Sequence, residues 1–125
     1  MEHTNHSYPL LDLSQVDMLL ESGAQESVDL FKEILLLFEE ESKTKLDALR
    51  TAMAEANQEA FANAAHALAG SSANIGGRNV WLKAKEMENL CREGAPEKAF
   101  PMLADLEGEF AETLKQLHLY LGQFS

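Results

Sequence analysis

A single cysteine occurs in the 125 residues, so neither an internal disulfide nor a cysteine-built zinc cage is available, and a reducing cytoplasm is the expected setting. Basic residues are scarce as well. Ten Lys and Arg stand against 21 Asp and Glu, a formal net charge of −11. Such a field repels phosphate backbones and anionic lipid heads, which argues against nucleic acid and membrane surfaces as partners. No run approaches the roughly 18 apolar residues that span a bilayer. The stretch from Met1 to Ser14 has neither a basic n-region nor a continuous apolar stretch, so no secretory leader is expected. Only three Pro and seven Gly are present, mostly between periodic segments, and β-branched residues are few, which predicts an all-α chain. With 46% apolar and 25% charged residues, the composition is that of a globular protein rather than a disordered one. A mass of 13.8 kDa fits one domain with one core and leaves no space for a nucleotide-binding domain beside it.

Periodicity divides the chain. Residues 1–10 are polar or patternless and read as a flexible tail ending near Pro9. His3 and His6 lie in that tail without a carboxylate or Cys to complete a metal site. A bundle domain is expected over residues 11–125. Its first, short helix spans about Asp12 to Ser22, with Ser14 and Asp17 resembling a capping box and Gly23 as the stop. The second runs from about Gln25 to Glu55 on a stripe of Phe31, Leu35, Phe38, Ser42, Leu46, Leu49 and Met53. Leu30, Ile34 and Leu37 widen its apolar arc, where the short first helix can cover it. Asn57 caps a third helix with the stripe Phe61, Ala65, Leu68, Ser72 and Ile75, and Gly76-Gly77 then weakens or bends the chain. A fourth carries Val80, Ala84, Met87 and Cys91, with Leu90 adjoining, and ends at Gly94. The last starts at Pro96 or Pro101, with a break or restart expected at Pro101, and buries Leu103, Leu106, Phe110, Leu114, Leu117 and Leu121. Four long amphipathic segments with short links predict an antiparallel four-helix bundle plus a small N-terminal helix.

On the third helix the chemistry falls opposite the core. At roughly 100° per residue, His66 points about 140° away from the stripe. Its helix neighbours Ala62, Ala69, Gly70, Ala73 and Gly77 are all small. A solvated face ordinarily carries Glu, Lys and Gln, and a glycine inside a helix costs up to about 1 kcal/mol relative to alanine. A bare shelf gives another protein's surface access to the imidazole. On periodicity alone, a surface histidine beside a few alanines is an equally simple reading.

The string Ala65-His66-Ala67-Leu68-Ala69-Gly70-Ser71-Ser72-Ala73-Asn74-Ile75-Gly76-Gly77 resembles the histidine-containing phosphotransfer (HPt) family, whose pattern is His-x-Leu-Lys-Gly-Ser-Ser-x-x-x-Gly-Ala. Val80, Ala84, Met87 and Glu88 continue the match into the next helix, and the resemblance extends over about Leu11 to Leu121. Ala69 stands where the family usually has Lys, and Gly77 where it usually has Ala. The resemblance implies a phosphorelay intermediate of two-component signalling, with His66 taking a phosphoryl group from an aspartyl phosphate of one receiver domain and passing it to the Asp of another. Receiver domains of response regulators or hybrid kinases are the implied partners. An exposed imidazole is largely neutral near neutral pH and keeps one nitrogen lone pair, a competent nucleophile. Nε2 is the expected attacking atom, with Nδ1–H bonded to water or to a neighbour such as Asn63 or Glu59. Phosphoryl transfer needs charge neutralisation, commonly by Mg²⁺. The sequence has no Gly-rich phosphate loop and no acidic cluster beside His66, so no cofactor is expected in this chain and Mg²⁺ is expected on the receiver.

Gly70 and Ala73 then read as clearance for the docking partner, as do Ala62, Ala69 and Gly77. Ser71 reads as a rim residue, and Ser72 as bonded to the carbonyl of Leu68. Arg78, with Lys83 and Lys85, is a candidate to face the shelf, Arg78 standing in for the missing lysine. The expected protein is a monomeric phosphoryl carrier without autokinase activity, since no ATP site fits. Two other readings are a non-transferring adaptor that docks receivers and a metal-binding four-helix bundle. The latter lacks Glu-x-x-His pairs: Asn63 precedes His66 and Lys115 precedes His118 at that spacing. His118 reads as a surface residue, Cys91 as a small buried hydrophobe, and Trp81 as packing.

Overall fold

The computed structural model describes Leu20 and residues 24–124. The tail, its two histidines and nearly all of the expected first helix lie outside the described residues; Leu20, from that helix, is helical and 1% exposed. Four long helices follow: α1 (Gln25–Ala54), α2 (Gln58–Ile75), α3 (Arg78–Arg92) and α4 (Leu103–Gly122). A single helical turn (Pro96–Ala99) and a 3-10 turn (Phe100–Met102) join α3 to α4. Pro101 lies in the 3-10 turn, where its missing N–H breaks no helical ladder, and α4 begins two residues later. Each long helix packs on its neighbours in the chain and α4 closes against α1, making an antiparallel bundle.

The turns explain the sharp reversals. Asn57 caps α2, its side-chain oxygen accepting from the Ala60 N–H at 3.0 Å. Gly76 (φ 85°) ends α2 in the left-handed region. The Gly77 N–H then donates to the Ser72 carbonyl and the Gly76 N–H to that of Ala73, the two bonds of a Schellman ending. The same pair of bonds recurs at Gly94 (φ 87°) and, without a glycine, at Ala56 (φ 53°).

The stripes close into one core. Phe31, Leu35 and Leu49 of α1 meet Phe61, Leu68 and Ile75 of α2, Met87 and Cys91 of α3, and Leu106 and Tyr120 of α4, all at most 2% exposed. Two expectations shift by one position. Met53 is 37% exposed and Ala52 turns inward. On α4, Thr113 and Tyr120 are buried while Leu114 is half-buried. The cause is that neighbouring positions border the same buried arc of a helix, so a stripe read as one residue per turn settles on one of two adjacent candidates. The Ser42, Ser72 and Thr113 hydroxyls are buried without a hydrogen-bond partner among the described residues. The bond expected from Ser72 to Leu68 is instead made by Ser71, whose Oγ donates at 3.2 Å to the carbonyls of Ala67 and Leu68.

Candidate functional site

Midway along α2, His66 points out of the bundle with 66% of its side chain exposed. One turn on, Gly70 is exposed, and a Cβ built there meets no heavy atom within 4 Å. Ala67, Ala73 and Asn74 are also exposed. The open strip is therefore His66, Gly70 and Ala73. It is narrower than the sequence implies: Ala62 is 1% and Ala69 4% exposed, because α2 is flanked by both α1 and α3 and buries more than its main stripe. Gly77 does not belong to the strip either. It is buried, and a Cβ there would lie 3.2 Å from Thr113 Cγ2 and 3.5 Å from the Ser72 carbonyl oxygen, so its small size serves packing against α4.

The partner of the imidazole comes from α3. The Glu88 carboxylate, 8% exposed, lies 3.0 Å from His66 Nδ1 through Oε2 and 3.1 Å through Oε1. One turn further along α3, Arg92 Nε donates to Glu88 Oε2 at 2.9 Å, and its Nη2 donates to Asn63 Oδ1 on α2 at 3.3 Å. Burial pushes the Glu88 carboxyl up, but the hydrogen bonds and charges of Arg92 and His66 outweigh it, leaving Glu88 below its ordinary value. An ionised carboxylate only accepts. In this contact Nδ1 is therefore the donor, and the neutral tautomer that fits it keeps its lone pair on Nε2. This replaces the expectation that Asn63, Glu59 or water would bond Nδ1. Glu88 and Arg92 carried a readable signal. Glu88 follows Met87 at the edge of a buried stripe, where a carboxylate needs partners, and Arg92 is its i+4 neighbour.

Arg78, the residue expected to supply the cation, opens α3. It is ten residues before Glu88, about 15 Å along the helix axis at 1.5 Å per residue. The antiparallel reversal thus brings the far end of α3 to His66, and Arg92 is the guanidinium in contact with the site. Lys83 is half-buried and Lys85 exposed; Lys85 shares the Glu88 face at i−3. Ser71 is half-buried on the side facing α1, where a groove of about 140 Å³ is lined by Ile34, Leu37, Ser71, Asn74 and neighbours. Ile34 is 40% and Leu37 56% exposed, and across the strip Trp81 is 37% exposed, so Trp81 is less buried than a packing role predicts.

Elsewhere, Cys91 is fully buried with its thiol pushed up by that burial, and its carbonyl accepts from the Gln58 amide. His118 is half exposed, its Nε2 3.5 Å from Glu39 Oε1. Among the described residues no three His, Cys, Asp or Glu side chains converge as a metal site, and no helix is long and apolar enough to cross a membrane.

The profile of the Hpt domain family matches residues 33–121, a span that holds the exposed histidine, its carboxylate, the whole of α2 and α3 and most of α1 and α4. The chain belongs to the Hpt family. Among solved structures, this Hpt domain is similar to histidine-containing phosphotransfer protein B from Pseudomonas aeruginosa PAO1, with TM-score 0.74 at 24% identity over 94% of this chain and 99% of that one. It is similar also to a putative histidine-containing phosphotransfer protein from rice, with TM-score 0.74 at 22% identity over 94% of this chain and 86% of that one. At these identities the likeness concerns the fold. No curated protein matches the sequence.

Proposed function

We propose that this Hpt domain is a phosphorelay carrier that accepts a phosphoryl group on His66 Nε2 from an aspartyl phosphate of one receiver domain and delivers it to the Asp of another. The observation that carries this reading is the Glu88 contact, which fixes the imidazole tautomer and leaves Nε2 unprotonated on a strip that has no side chain larger than a methyl at positions 70 and 73. On acceptance the Nε2 lone pair attacks phosphorus, the bond from phosphorus to the aspartyl oxygen breaks, and its electron pair returns to the carboxylate. Delivery runs the same displacement backwards onto a second carboxylate. Charge neutralisation of the phosphoryl oxygens would fall to Mg²⁺ held by the acidic pocket of the receiver, because Arg92 is committed to Glu88 and Asn63.

The docking surface of this reading is the strip of His66, Gly70 and Ala73 with two unlike rims: Ile34 and Leu37 on α1, and Trp81, Lys85 and Arg92 on α3. That combination suits a partner presenting an apolar helix beside an acidic pocket. A cytoplasmic monomer that carries but does not itself generate the phosphoryl group is part of the proposal. The adaptor alternative rests on Ala69, which stands where the family usually has Lys, whereas the exposed His66 with Glu88 at its Nδ1 favours transfer.

The test is incubation with phosphorylated receiver domains. Label on the native chain that is lost in acid and kept in base marks phosphohistidine. His66→Gln should take up none while melting as the native protein does, because an exposed side chain contributes little to stability. Labelling of His66→Gln, or its unfolding, would refute the assignment.

A further inference from the structure

We infer that Glu88, clamped by Arg92, holds the proton on Nδ1 of His66 throughout the phosphoryl cycle, so that this Hpt domain passes its phosphoryl group on rapidly instead of storing it. The inference rests on the carrier reading above and concerns what happens after loading. When Nε2 forms its bond to phosphorus, the imidazole acquires a positive charge with Nδ1 still protonated. In open water that proton is free to leave to solvent, giving a neutral phosphoimidazole. Breaking the P–N bond of that species expels an imidazolate anion, a poor leaving group. With Nδ1 protonated, the bond releases neutral imidazole.

The geometry favours the protonated form at each stage. Both Glu88 oxygens lie within 3.1 Å of Nδ1, so the bond that orients the free imidazole also neutralises the phosphorylated one. Burial alone would let the carboxylate take the proton itself, and the guanidinium of Arg92 at 2.9 Å opposes that. On delivery the receiving carboxylate oxygen attacks phosphorus, the P–N electron pair returns to Nε2, and the proton remains on Nδ1 where it began. No proton is exchanged with solvent over the cycle. The other charged groups on this side are exposed and do not touch the pair. They are Lys85, one turn from Glu88; Glu59, two turns before His66; and Glu41 of α1, which faces α2 at Ser71 and Asn74.

Glu88→Gln separates orientation from charge, because an amide oxygen still accepts from Nδ1–H but carries no negative charge. The native chain, Glu88→Gln and Arg92→Ala are loaded on His66 with phosphoramidate, a small donor that needs no receiver. Phosphohistidine lifetime and delivery to an unphosphorylated receiver are then followed from pH 6 to 9. Delivery by the native chain should begin to fall about one pH unit higher than delivery by Glu88→Gln. Glu88→Gln should lose delivery rate as pH rises and hold its phosphoryl group about tenfold longer at pH 8. This is the lower end of the 1–3 unit influence of a neighbouring opposite charge, chosen because His66 is exposed. The two lifetimes should converge toward pH 6. Arg92→Ala should lie between them. Equal lifetimes and equal pH profiles in all three proteins would overturn the inference, as would failure of phosphoramidate to label His66 at all. Normal loading and a Glu88 effect on lifetime, without acceptance from any phosphorylated receiver, would uphold the proton-holding role and remove the relay reading.

Discussion

Replacing Gly70 by leucine separates the two demands on α2. A glycine in a helix interior is about 0.8–1 kcal/mol less favourable than alanine, and leucine is close to alanine. A Cβ at this position meets nothing within 4 Å, so no clash subtracts from the gain. Gly70→Leu should therefore raise stability by about 0.7 kcal/mol, or some 2–5 °C in melting temperature for a domain of this size. Transfer should move the other way. Residues at i and i+4 have Cβ atoms about 5–6 Å apart, so a leucine at 70 projects beside the imidazole and holds an incoming surface off Nε2. A misplacement of 1 Å in a displacement reaction can cost about 100-fold, equivalent to about 2.7 kcal/mol of barrier and several times the stability gained. The assays are thermal denaturation and the rate of label transfer from one phosphorylated receiver, with phosphoramidate loading as the control for a donor too small to be obstructed. A variant that takes phosphoryl from the receiver at the native rate refutes the clearance argument. Equal slowing with phosphoramidate points to damage at His66 and refutes it as well.

Other perturbations test the fold around the site. Ala56→Gly should stabilise by about 0.5–1 kcal/mol, because a left-handed alanine costs about 1–2 kcal/mol and the added freedom of the unfolded chain returns part of that; a lower urea midpoint would contradict it. Thr113→Val removes a buried hydroxyl without a partner among the described residues and keeps the side-chain shape, so a gain of about 1 kcal/mol is expected at unchanged m-value; destabilisation would reveal a hydroxyl bond that matters. Glu88 has a depressed folded-state value relative to its ordinary 4.5, so its stabilisation is present above the unfolded-state value and is lost as pH falls through the folded one. A melting-temperature profile from pH 7 to 3 should accordingly fall more steeply for the native chain than for Glu88→Gln, and parallel profiles would show that the ion pair contributes nothing.

The elements that were legible in the sequence are those encoded locally. A 3.6-residue apolar period, a capping asparagine at 57 and glycines at 76 and 94 each act within one or two turns, and the helices begin and end where these residues dictate. Ala56 shows the limit: it closes α1 in the left-handed conformation with the same two bonds as its glycine counterparts, yet alanine carries no signal for that role. The widths of the buried arcs were also hidden. A wheel shows which way Ala62 and Ala69 point relative to the main stripe, but their burial depends on α2 having neighbours on two sides.

The site illustrates the same division. That His66 is exposed beside Gly70 follows from the period of α2 alone. Which cation and which carboxylate serve it depends on the register of α3 against α2, and nearness in sequence is misleading there, because α3 runs back down the bundle. Arg78 is close to the histidine motif along the chain and far from it in space; Arg92 is the reverse. The absent lysine at position 69 looks different in this light. Ala69 is 4% exposed, so a lysine there would have to run its stem along the helix to bring its charge to His66. The positive charge beside the imidazole is already provided from across the helix pair, through the carboxylate that orients it. Under the proposed carrier function, alanine at 69 forgoes the contact a lysine could make to a phosphoryl group while the Glu88 contact to the imidazole stays, and the consequence should fall on capture of the phosphoryl oxygens rather than on the attack of Nε2.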